Sequence, residues 1–355
     1  MENRKLRVGV IGTGNIARSH LNAYKNNPDV EIYALCDIDP QHLEKAGKEY
    51  GVTRLYTDRA QMLALPELDA VSVCTWNSAH AVCTIDALNA GKNVICEKPM
   101  ATNAEDALAM QRAAEKNGKL LMIGFVRRFG DDMALIRDFA DKGYFGDFYY
   151  AKAQYLRRNG NPGGWFGDKS RSGGGPLIDL GVHVIDFVRY AMGNPKATSV
   201  YGATYQKLFD RKNIKTPKAY VSHSATDHDI CDVEDLAVAM IRFDNGATLT
   251  IEASFSLNTA QDSGDLQLYG DKAGVIVGSP MRLFSEENGY MTDVTLAGSR
   301  GFDFTKSFQA EIDDFVHSVR TGEPCRNPAE DGVELMRILT AIYESAASGH
   351  EVTLA

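Results

Sequence analysis

Short apolar runs alternate with longer amphipathic segments over the first third of the chain. The apolar runs predict five buried strands, at 8–11, 31–36, 70–74, 93–96 and 120–124. The segments between them repeat apolar residues at helical spacing, at 16–26, 40–50, 80–90 and 103–117. Because the strands alternate with helices of about 10–15 residues, the pattern predicts a doubly wound, parallel α/β sheet.

The pattern changes after about residue 125. It predicts a helix near 133–142, a strand near 148–155, a glycine-rich loop over 159–175 and a long apolar helix over 176–192. From 197 to 277 the alternation is typical of strands, and Asp244-Asn245-Gly246 predicts a hairpin turn. Two helices, near 307–321 and 329–348, follow. We therefore expect two domains, residues 1–124 and 125–355, the second with a helix-backed, mostly antiparallel sheet.

Length and composition agree with two ordinary globular domains. A chain of 355 residues is too long for one compact core of ordinary size. Its 44% hydrophobic and 24% charged residues are typical of a soluble globular protein. The net charge of −9 argues against nucleic acid or an anionic membrane as the main partner. No apolar stretch is long enough for a membrane helix, and no signal peptide is visible, so we expect a cytoplasmic protein. The six cysteines form no CxxC pair and are expected to be reduced, structural thiols.

The sequence between the first strand and the first helix reads Gly-x-Gly-x-x-Ala. Gly12 permits a tight turn, Gly14 lets a pyrophosphate approach the backbone, and Ala17 keeps the helix close to the sheet. Asn15 and Ile16 open the helix, whose free N–H groups and dipole favour an anion. Taken alone, the motif could be only a turn.

Asp37, 25 positions after Gly12, strengthens the case for a dinucleotide site. A carboxylate at the end of the second strand can accept two hydrogen bonds from the adenosine ribose and repels a 2′-phosphate. Ile38 and Asp39 follow without an arginine, which favours NAD over NADP. The alternative is that Asp37 caps the helix that begins at Pro40.

Further polar residues follow the third and fourth predicted strands. Thr75, Asn77 and His80 come after the third, and Glu97 and Lys98 come after the fourth. Because open α/β sheets bind ligands at the carboxyl ends of their strands, all five are predicted to contact the cofactor. The alternative for Lys98 is an ordinary lysine at a strand end, paired with Glu97.

Three polar residues interrupt the apolar helix that follows a triple glycine at 173–175. Asp179, His183 and Asp186 have the spacing i, i+4 and i+7, which places them on one helical face. Burying such a stripe costs several kcal/mol, about 2–7 per uncompensated polar group, unless it is paired or faces a polar cavity. The stripe is therefore a candidate site, with an internal hydrogen-bond network as the alternative. No third ligand with suitable spacing is evident, so we predict no metal and a solvated loop at 223–232.

Together these motifs resemble the Gfo/Idh/MocA family of oxidoreductases over the whole chain. The resemblance is carried by the turn at 8–17, Asn77 with His80, Glu97-Lys98-Pro99, Asp179 with His183, and the tail from Glu330-Asp331-Gly332 to Ala341-Ile342-Tyr343. It implies an N-terminal Rossmann domain and a C-terminal α/β domain with a large open-faced sheet. That sheet usually forms the contacts of a homodimer or homotetramer.

The resemblance also implies catalytic roles. Lys98 matches the family's catalytic lysine, His183 its acid/base and Asp179 the partner carboxylate. Arg127 and Asp186 match positions that touch substrate in members similar to inositol dehydrogenase. We therefore expect an NAD-dependent dehydrogenase that oxidises a secondary hydroxyl group.

The expected substrate is a sugar or a cyclitol. Arg157 and Trp165 lie ahead of the polar helix, where an aromatic ring can stack on a pyranose and a cation can bind hydroxyl groups. An inositol-like cyclitol and a glucopyranoside, the latter oxidised at ring carbon 3, remain equal candidates. The alternatives are an NAD-dependent glycosidase that oxidises its sugar transiently, and a non-catalytic NAD sensor.

Overall fold

The computed structural model describes residues 4–209, 211, 214, 215, 218, 220–298 and 301–354. The contacts of the chain define two compact units. The first comprises Met1–Val126 and Phe304–Val333, and the second comprises Arg127–Asp303 and Glu334–Ala355. No helix within these described ranges is long and apolar enough to cross a membrane.

In its described residues, the first unit contains a sheet of six parallel strands in the order β3-β2-β1-β4-β5-β6. The strands are β1 (Leu6–Ile11), β2 (Val30–Cys36), β3 (Leu55–Tyr56), β4 (Ala70–Val73), β5 (Asn93–Glu97) and β6 (Leu121–Gly124). Their side chains are mostly buried, as expected for a parallel sheet with helices on both faces. The predicted doubly wound sheet is confirmed. The strand β3 was not predicted, because its two residues are too few to form an apolar run.

The helices of this sheet begin and end at recognisable residues. They are α1 (Asn15–Asn26), α2 (Pro40–Tyr50), α3 (Arg59–Leu63), α4 (Asn77–Asn89) and α5 (Ala104–Asn117). Asp39 and Asn103 cap the first turns of α2 and α5 with side-chain oxygens, and Gly51 and Gly118 end those helices in the left-handed conformation. The short helix α3 was not predicted from the sequence.

The second unit begins with α6 (Asp131–Asp141), α7 (Lys169–Ser172), a π-helical turn (Leu177–Gly181) and α8 (Val182–Ala191). Its described residues form a sheet of nine strands in the order β14-β13-β12-β11-β7-β10-β9-β8-β15. The strands are β7 (Phe148–Leu156), β8 (Ala197–Tyr205), β9 (Leu236–Phe243), β10 (Thr248–Ser254), β11 (Leu266–Gly270), β12 (Ala273–Val277), β13 (Arg282–Glu287), β14 (Tyr290–Thr295) and β15 (Val352–Thr353). The pairing of β7 with β10 is parallel and the other strand pairs are antiparallel, which confirms the predicted sheet type.

The hairpin turn predicted at Asp244-Asn245-Gly246 joins β9 to β10. Gly246 has a φ of +85°, which glycine adopts without steric cost. The strand pattern predicted over 197–277 was too broad, because the described residues between Tyr205 and Leu236 contain no strand. It also ended too early, since β13 and β14 follow it. Strand β14 is largely exposed and therefore lacks the apolar alternation of a half-buried strand.

One face of the nine-stranded sheet is covered by helices and the other is open. In β9, Ala237, Ala239 and Ile241 are buried, whereas Met240 is 49% exposed. The last helix, α10 (Ala329–Ser348), covers β8 so closely that a Cβ on Gly202 would lie 2.7 Å from Ile342 Cγ2. The predicted helix-backed, open-faced sheet is confirmed.

The helix α9 (Phe304–Thr321) returns to the first unit. The amide of Gln309 donates to the carbonyl of Ala23 at 3.1 Å, at the end of α1. After α9, Asn327 accepts a backbone hydrogen bond from Ile123 of β6 at 3.0 Å. By packing, residues 304–333 therefore belong with the parallel sheet, while the functional division at 1–124 and 125–355 stays a prediction.

Candidate functional site

The glycine turn, residues 12–17, contains two glycines that are required for different reasons. Gly12 has a φ of +87°, and a Cβ there would lie 2.5 Å from the carbonyl oxygen of Cys74. Gly14 has an ordinary φ of −73°, and a Cβ there would meet no described heavy atom within 4 Å. The backbone itself demands the first glycine, whereas the second leaves an open surface where a ligand can approach.

The start of α1 is suited to bind an anion. Its N-cap residue, Gly14, has no side chain to accept a hydrogen bond, and the first turn, which includes Asn15 and Ile16, has no acidic residue. Ala17 is fully buried, which allows the helix to pack closely on the sheet. The N–H groups and the helix dipole therefore present partial positive charge to the open surface. A dinucleotide pyrophosphate fits this position.

Asp37 is held by the glycine turn and does not cap α2. Its Oδ2 accepts hydrogen bonds from the backbone N–H of Thr13 at 2.6 Å and from the Thr13 hydroxyl at 2.8 Å. The N-cap of α2 is Asp39, whose Oδ1 accepts from the backbone of Gln41 and His42. The capping alternative for Asp37 is therefore wrong. Its carboxylate remains partly exposed beside the turn.

Glu97, the last residue of β5, is buried and bridges to α1. Its Oε1 lies 2.9 Å from His20 Nε2, and its Oε2 accepts from the backbone N–H of Lys98 at 3.1 Å. The other nitrogen of His20 lies 3.2 Å from the hydroxyl of Ser72, which lies 2.8 Å from the Tyr24 hydroxyl. This buried network fixes the backbone at Lys98, while the Lys98 side chain is partly exposed.

His20, Ser72 and Tyr24 were not predicted from the sequence as members of this network. A signal was present, because His20 lies on the buried face of α1 with Ala17 and Tyr24. Ser72 likewise interrupts the apolar strand β4. Polar groups in such positions must find hydrogen-bond partners, so each marks a buried polar network.

His80 connects two strand ends of the parallel sheet. It is 1% exposed, and its Nδ1 and Nε2 lie 2.7 and 3.1 Å from the carbonyl oxygens of Pro99 and Thr75. Burial lowers the pKa of His80, which favours the neutral ring. A neutral ring carries one N–H, so His80 donates a hydrogen bond to one of these two carbonyl groups. The expected contacts of Thr75, Asn77 and His80 with the cofactor stay predictions. Asn77 is buried at the first residue of α4.

The polar helix of the second unit differs from the α-helix predicted over 176–192. A π-helical turn, Leu177–Gly181, precedes α8, and we call the two together the site helix. A π turn holds more residues than an α turn, so the i, i+4 relation expected between Asp179 and His183 is altered. Asp179 and His183 are partly exposed between buried neighbours, whereas Asp186 is buried. Within α8, Asp186 follows His183 by three residues, so these two keep a helical i, i+3 spacing, and the shared face of all three residues stays a prediction.

Asp186 forms a buried ion pair with Arg128. The guanidinium Nη2 lies 2.6 Å from Asp186 Oδ1, and Arg128 Nε lies 3.1 Å from both carboxylate oxygens. The side chains of Arg128 and Asp186 are 0% and 1% exposed. A substrate contact by Asp186, as the resemblance implies, would compete with this pair.

Arg127 is oriented by an acidic partner and two rings. Its Nη2 donates to Asp132 at 2.8 Å, and its guanidinium carbon lies 4.3 Å from the ring centroid of Phe302 and 5.1 Å from that of Phe187. Burial lowers the pKa of Arg127, although Asp132 opposes the effect. The side chain is 24% exposed, so burial does not prevent the predicted contact with substrate.

Arg157 and Trp165 are also partly exposed. The Arg157 guanidinium lies 5.3 Å from the Tyr155 ring centroid and donates to the carbonyl of Gly160 at 3.1 Å. The indole of Trp165 stacks on Phe166 with centroids 3.9 Å apart. A rigid aromatic surface of this kind can stack on an apolar sugar face.

The loop at 223–232 packs back on the glycine-rich loop. Its Asp229 accepts hydrogen bonds from the backbone of Gly164 and Thr226, and Asp232 accepts from the backbone of Lys169 at 2.7 Å. The carboxylates therefore order the loop at 159–175, a role the sequence did not predict. In the part of the chain that the structure describes, no group of three or more His, Cys, Asp or Glu residues could hold a metal ion.

These features define a dinucleotide-dependent oxidoreductase, and the comparison with known families agrees. Residues 6–125 match the profile described as "Oxidoreductase family, NAD-binding Rossmann fold", and residues 140–354 match the C-terminal α/β domain of the same family. The chain therefore belongs to the Gfo/Idh/MocA family, which confirms the resemblance. It is an oxidoreductase with NAD as its cofactor, as predicted.

Several relatives of the chain are named dehydrogenases. It is 34% identical to a D-glucoside 3-dehydrogenase from Escherichia coli K12 over 357 residues, covering 100% of this chain and 99% of that protein. A myo-inositol 2-dehydrogenase from Thermotoga maritima is 29% identical over 362 residues and 98% of each chain. The structure of a levoglucosan dehydrogenase with NADH shares the fold, with a TM-score of 0.86 at 24% identity over 99% of each chain. These names give no support to the glycosidase alternative.

Proposed function

We propose that this protein is an NAD-dependent dehydrogenase of a secondary hydroxyl group on a sugar or a cyclitol. The observation that carries the proposal is the partial exposure of Asp179 and His183 on a site helix whose other described residues from 176 to 189 are buried. A carboxylate and an imidazole held at such positions can accept and transfer a proton. The named dehydrogenase relatives support the class of substrate.

The cofactor preference follows from Asp37. NAD supplies a hydride acceptor when it is bound. We propose that Gly12, Gly14, Asn15 and Ile16 hold its pyrophosphate, and that Asp37 accepts hydrogen bonds from the adenosine ribose. A 2′-phosphate would meet the negative charge of Asp37, so NAD is preferred over NADP. Ile38, which is 71% exposed, offers an apolar surface to the adenine ring.

The remaining cofactor contacts are proposed at the next two strand ends. Thr75, Asn77 and His80 follow β4, while Glu97 ends β5 and Lys98 follows it. In the sheet order β4 lies next to β1, and β5 lies next to β4. Of these residues, Glu97 acts through the backbone N–H of Lys98, from which it accepts a hydrogen bond, and His80 acts through the backbone carbonyl groups of Pro99 and Thr75 that its ring faces.

The proton chemistry is proposed for three residues. His183 takes the proton of the reacting hydroxyl, because the hydroxyl must lose it as the carbon loses its hydride. Asp179 holds the imidazole in the required tautomer and stabilises its cation. Lys98 donates a hydrogen bond to the reacting oxygen and stabilises the developing alkoxide.

The substrate is proposed to be a cyclitol or a glucopyranoside. Trp165 would stack on its ring, while Arg127 and Arg157 would donate to its hydroxyl groups. Asp186 is assigned an indirect part, because its carboxylate is bound by Arg128. The Escherichia coli relative, named for oxidation of glucosides at position 3, makes that carbon the first to examine.

We also propose that the open face of the nine-stranded sheet forms a homodimer or homotetramer. Tyr201 and Met240 are cross-strand partners on β8 and β9, and they are 53% and 49% exposed. Paired large apolar side chains on an open sheet are typical of protein interfaces. Sedimentation of the wild type against Met240→Asp tests the assignment, and a monomeric wild type contradicts it.

The function is tested by following NADH absorbance with NAD or NADP against inositols, free sugars and glucosides. We expect net NADH formation with at least one cyclitol or glucoside, and little or none with NADP. Product analysis then identifies the oxidised carbon. No NADH formation with any polyhydroxylated substrate would overturn the proposal.

A further inference from the structure

A carboxylate from a distant part of the chain binds backbone N–H groups at the start of the site helix. Glu234 lies just before β9, and its Oε2 accepts the backbone N–H of Gly175 at 2.9 Å. Its Oε1 accepts the backbone N–H of Leu177 at 3.2 Å. The first N–H groups of a helix have no partner within it, so Glu234 satisfies two donors that Pro176 and the glycines cannot satisfy with side chains.

Tyr343 of α10 holds this carboxylate in place. Its hydroxyl donates to Glu234 Oε1 at 2.9 Å. Burial, together with the adjacent Glu234 charge, raises the pKa of Tyr343, so the hydroxyl keeps its proton. Burial also raises the pKa of Glu234, while its hydrogen bonds with Gly175, Tyr343 and Leu177 oppose that shift.

The glycines before the site helix are explained by this arrangement. A Cβ on Gly174 would lie 2.0 Å from the Tyr343 hydroxyl oxygen, and a Cβ on Gly175 would lie 2.2 Å from the Glu234 carbonyl oxygen. Both contacts are shorter than real Cβ atoms allow. Glycine is therefore required at 174 and 175 because Glu234 and Tyr343 pack against the backbone there.

The same backbone carries Asp179. Its N–H donates to the carbonyl of Gly175 at 3.1 Å, and Asp179 lies two residues after Leu177. The two N–H groups that bind Glu234 thus belong to the residues that start the π-helical turn. If the start of the π-helical turn moves, the side chain of Asp179 changes direction with it. The side chain of His183, about one turn further along the helix, changes direction as well.

We propose that Glu234 and Tyr343 are positioning residues that set the direction of Asp179 and His183 through the start of the site helix. This inference rests on the proposed dehydrogenase function. The pair would be needed for the proton step and would have little influence on NAD binding, which is proposed for the other unit. A purely structural cap would instead change stability and leave turnover intact.

The tests use Glu234→Gln and Tyr343→Phe, with Asp235→Asn as the matched control. Asp235 neighbours Glu234, is buried, and accepts backbone hydrogen bonds from Lys207 and Leu208 away from the site helix. We expect kcat to fall about 10- to 100-fold in both test variants, with the Kd for NADH unchanged. Asp235→Asn should lower the melting temperature and keep its kcat.

A second readout works without a substrate. The titration of His183, followed by proton NMR, reports the surroundings of its imidazole. The His183→Ala variant identifies its signal among those of the eight histidines. Tyr343→Phe changes no formal charge, so a shift of this titration records a change in position. An unchanged His183 titration, or wild-type kcat in a folded Glu234→Gln enzyme, overturns the inference. If wild type forms no NADH with any polyol, the proposed function fails, while the NMR result still decides the positioning role.

Discussion

Thr13 binds the carboxylate of Asp37 through two hydrogen bonds to one oxygen atom. The backbone N–H and the hydroxyl donate to Oδ2 at 2.6 and 2.8 Å. The residue between the two glycines of the turn therefore fixes the acidic residue that follows β2. These two hydrogen bonds therefore link the proposed binding sites of the cofactor's pyrophosphate and ribose.

The first prediction concerns the choice between NAD and NADP. Asp37→Ser removes the charge that accepts the ribose hydroxyls and repels a 2′-phosphate, so kcat/KM for NAD should fall about tenfold or more. The ratio of NADP to NAD activity should rise. Asp39→Asn is the control, because it removes a nearby charge and keeps an N-cap acceptor for α2. A preference unchanged in Asp37→Ser would contradict the ribose assignment.

The second prediction isolates the Thr13 hydroxyl. Thr13→Val keeps the backbone hydrogen bond to Asp37 and removes the side-chain donor. The hydroxyl helps to orient the carboxylate that is proposed to bind the ribose, so the Kd for NADH should rise by up to roughly tenfold, equivalent to about 1.4 kcal/mol. Fluorescence titration of NADH measures the change. Thr13→Ser, which retains the hydroxyl, should bind nearly as the wild type does, and equal weakening in both variants would argue against this role.

The third prediction separates the two glycines of the turn. Gly12→Ala forces a Cβ to within 2.5 Å of the Cys74 oxygen at a φ of +87°, so the protein should unfold more easily. Gly14→Ala adds a methyl group to open space and should keep its melting temperature. It should nevertheless weaken NADH binding, because the methyl group stands where the pyrophosphate approaches. Equal stability of the two variants would refute this distinction.

The fourth prediction concerns the proposed proton transfer. His183→Ala should lower kcat by about 10²–10⁴-fold, the usual contribution of a general base. NADH binding should stay close to that of the wild type. Lys98→Met should cause a loss of similar order, whereas a raised KM at constant kcat would make Lys98 a binding residue only. Full activity in His183→Ala would remove it from the mechanism.

The fifth prediction tests the assignment of Asp186. Asp186→Asn breaks a buried ion pair, and we expect the free energy of unfolding to fall by about 3–5 kcal/mol. The exposed pair of Arg18 with Glu49 is the control, and Glu49→Gln should cost about 1 kcal/mol or less. Denaturant unfolding measures both. A stable Asp186→Asn enzyme with a raised substrate KM would restore the direct contact that the family resemblance implies.

Local sequence patterns predicted the regular elements well. The bounds of α2 and α10 are those expected at 40–50 and 329–348, because Pro40 and Gly51 delimit α2 and the periodicity of α10 is long. The elements that were missed, such as β3 and β14, are either very short or largely exposed. Such strands exist because neighbouring strands pair with them, and their own side chains carry little signal.

The sequence by itself determined the glycine turn, the Asp37 carboxylate, the Glu97-Lys98-Pro99 motif and the polar residues of the site helix. Each is a short-range pattern whose chemistry depends on residue type and spacing. Tertiary structure alone decided that Asp186 pairs with Arg128, that His20 holds Glu97, and that Glu234 and Tyr343 start the site helix. These partners are 58 to 109 residues apart along the chain. A buried polar group must find a partner, but only the folded topology determines which distant residue supplies it.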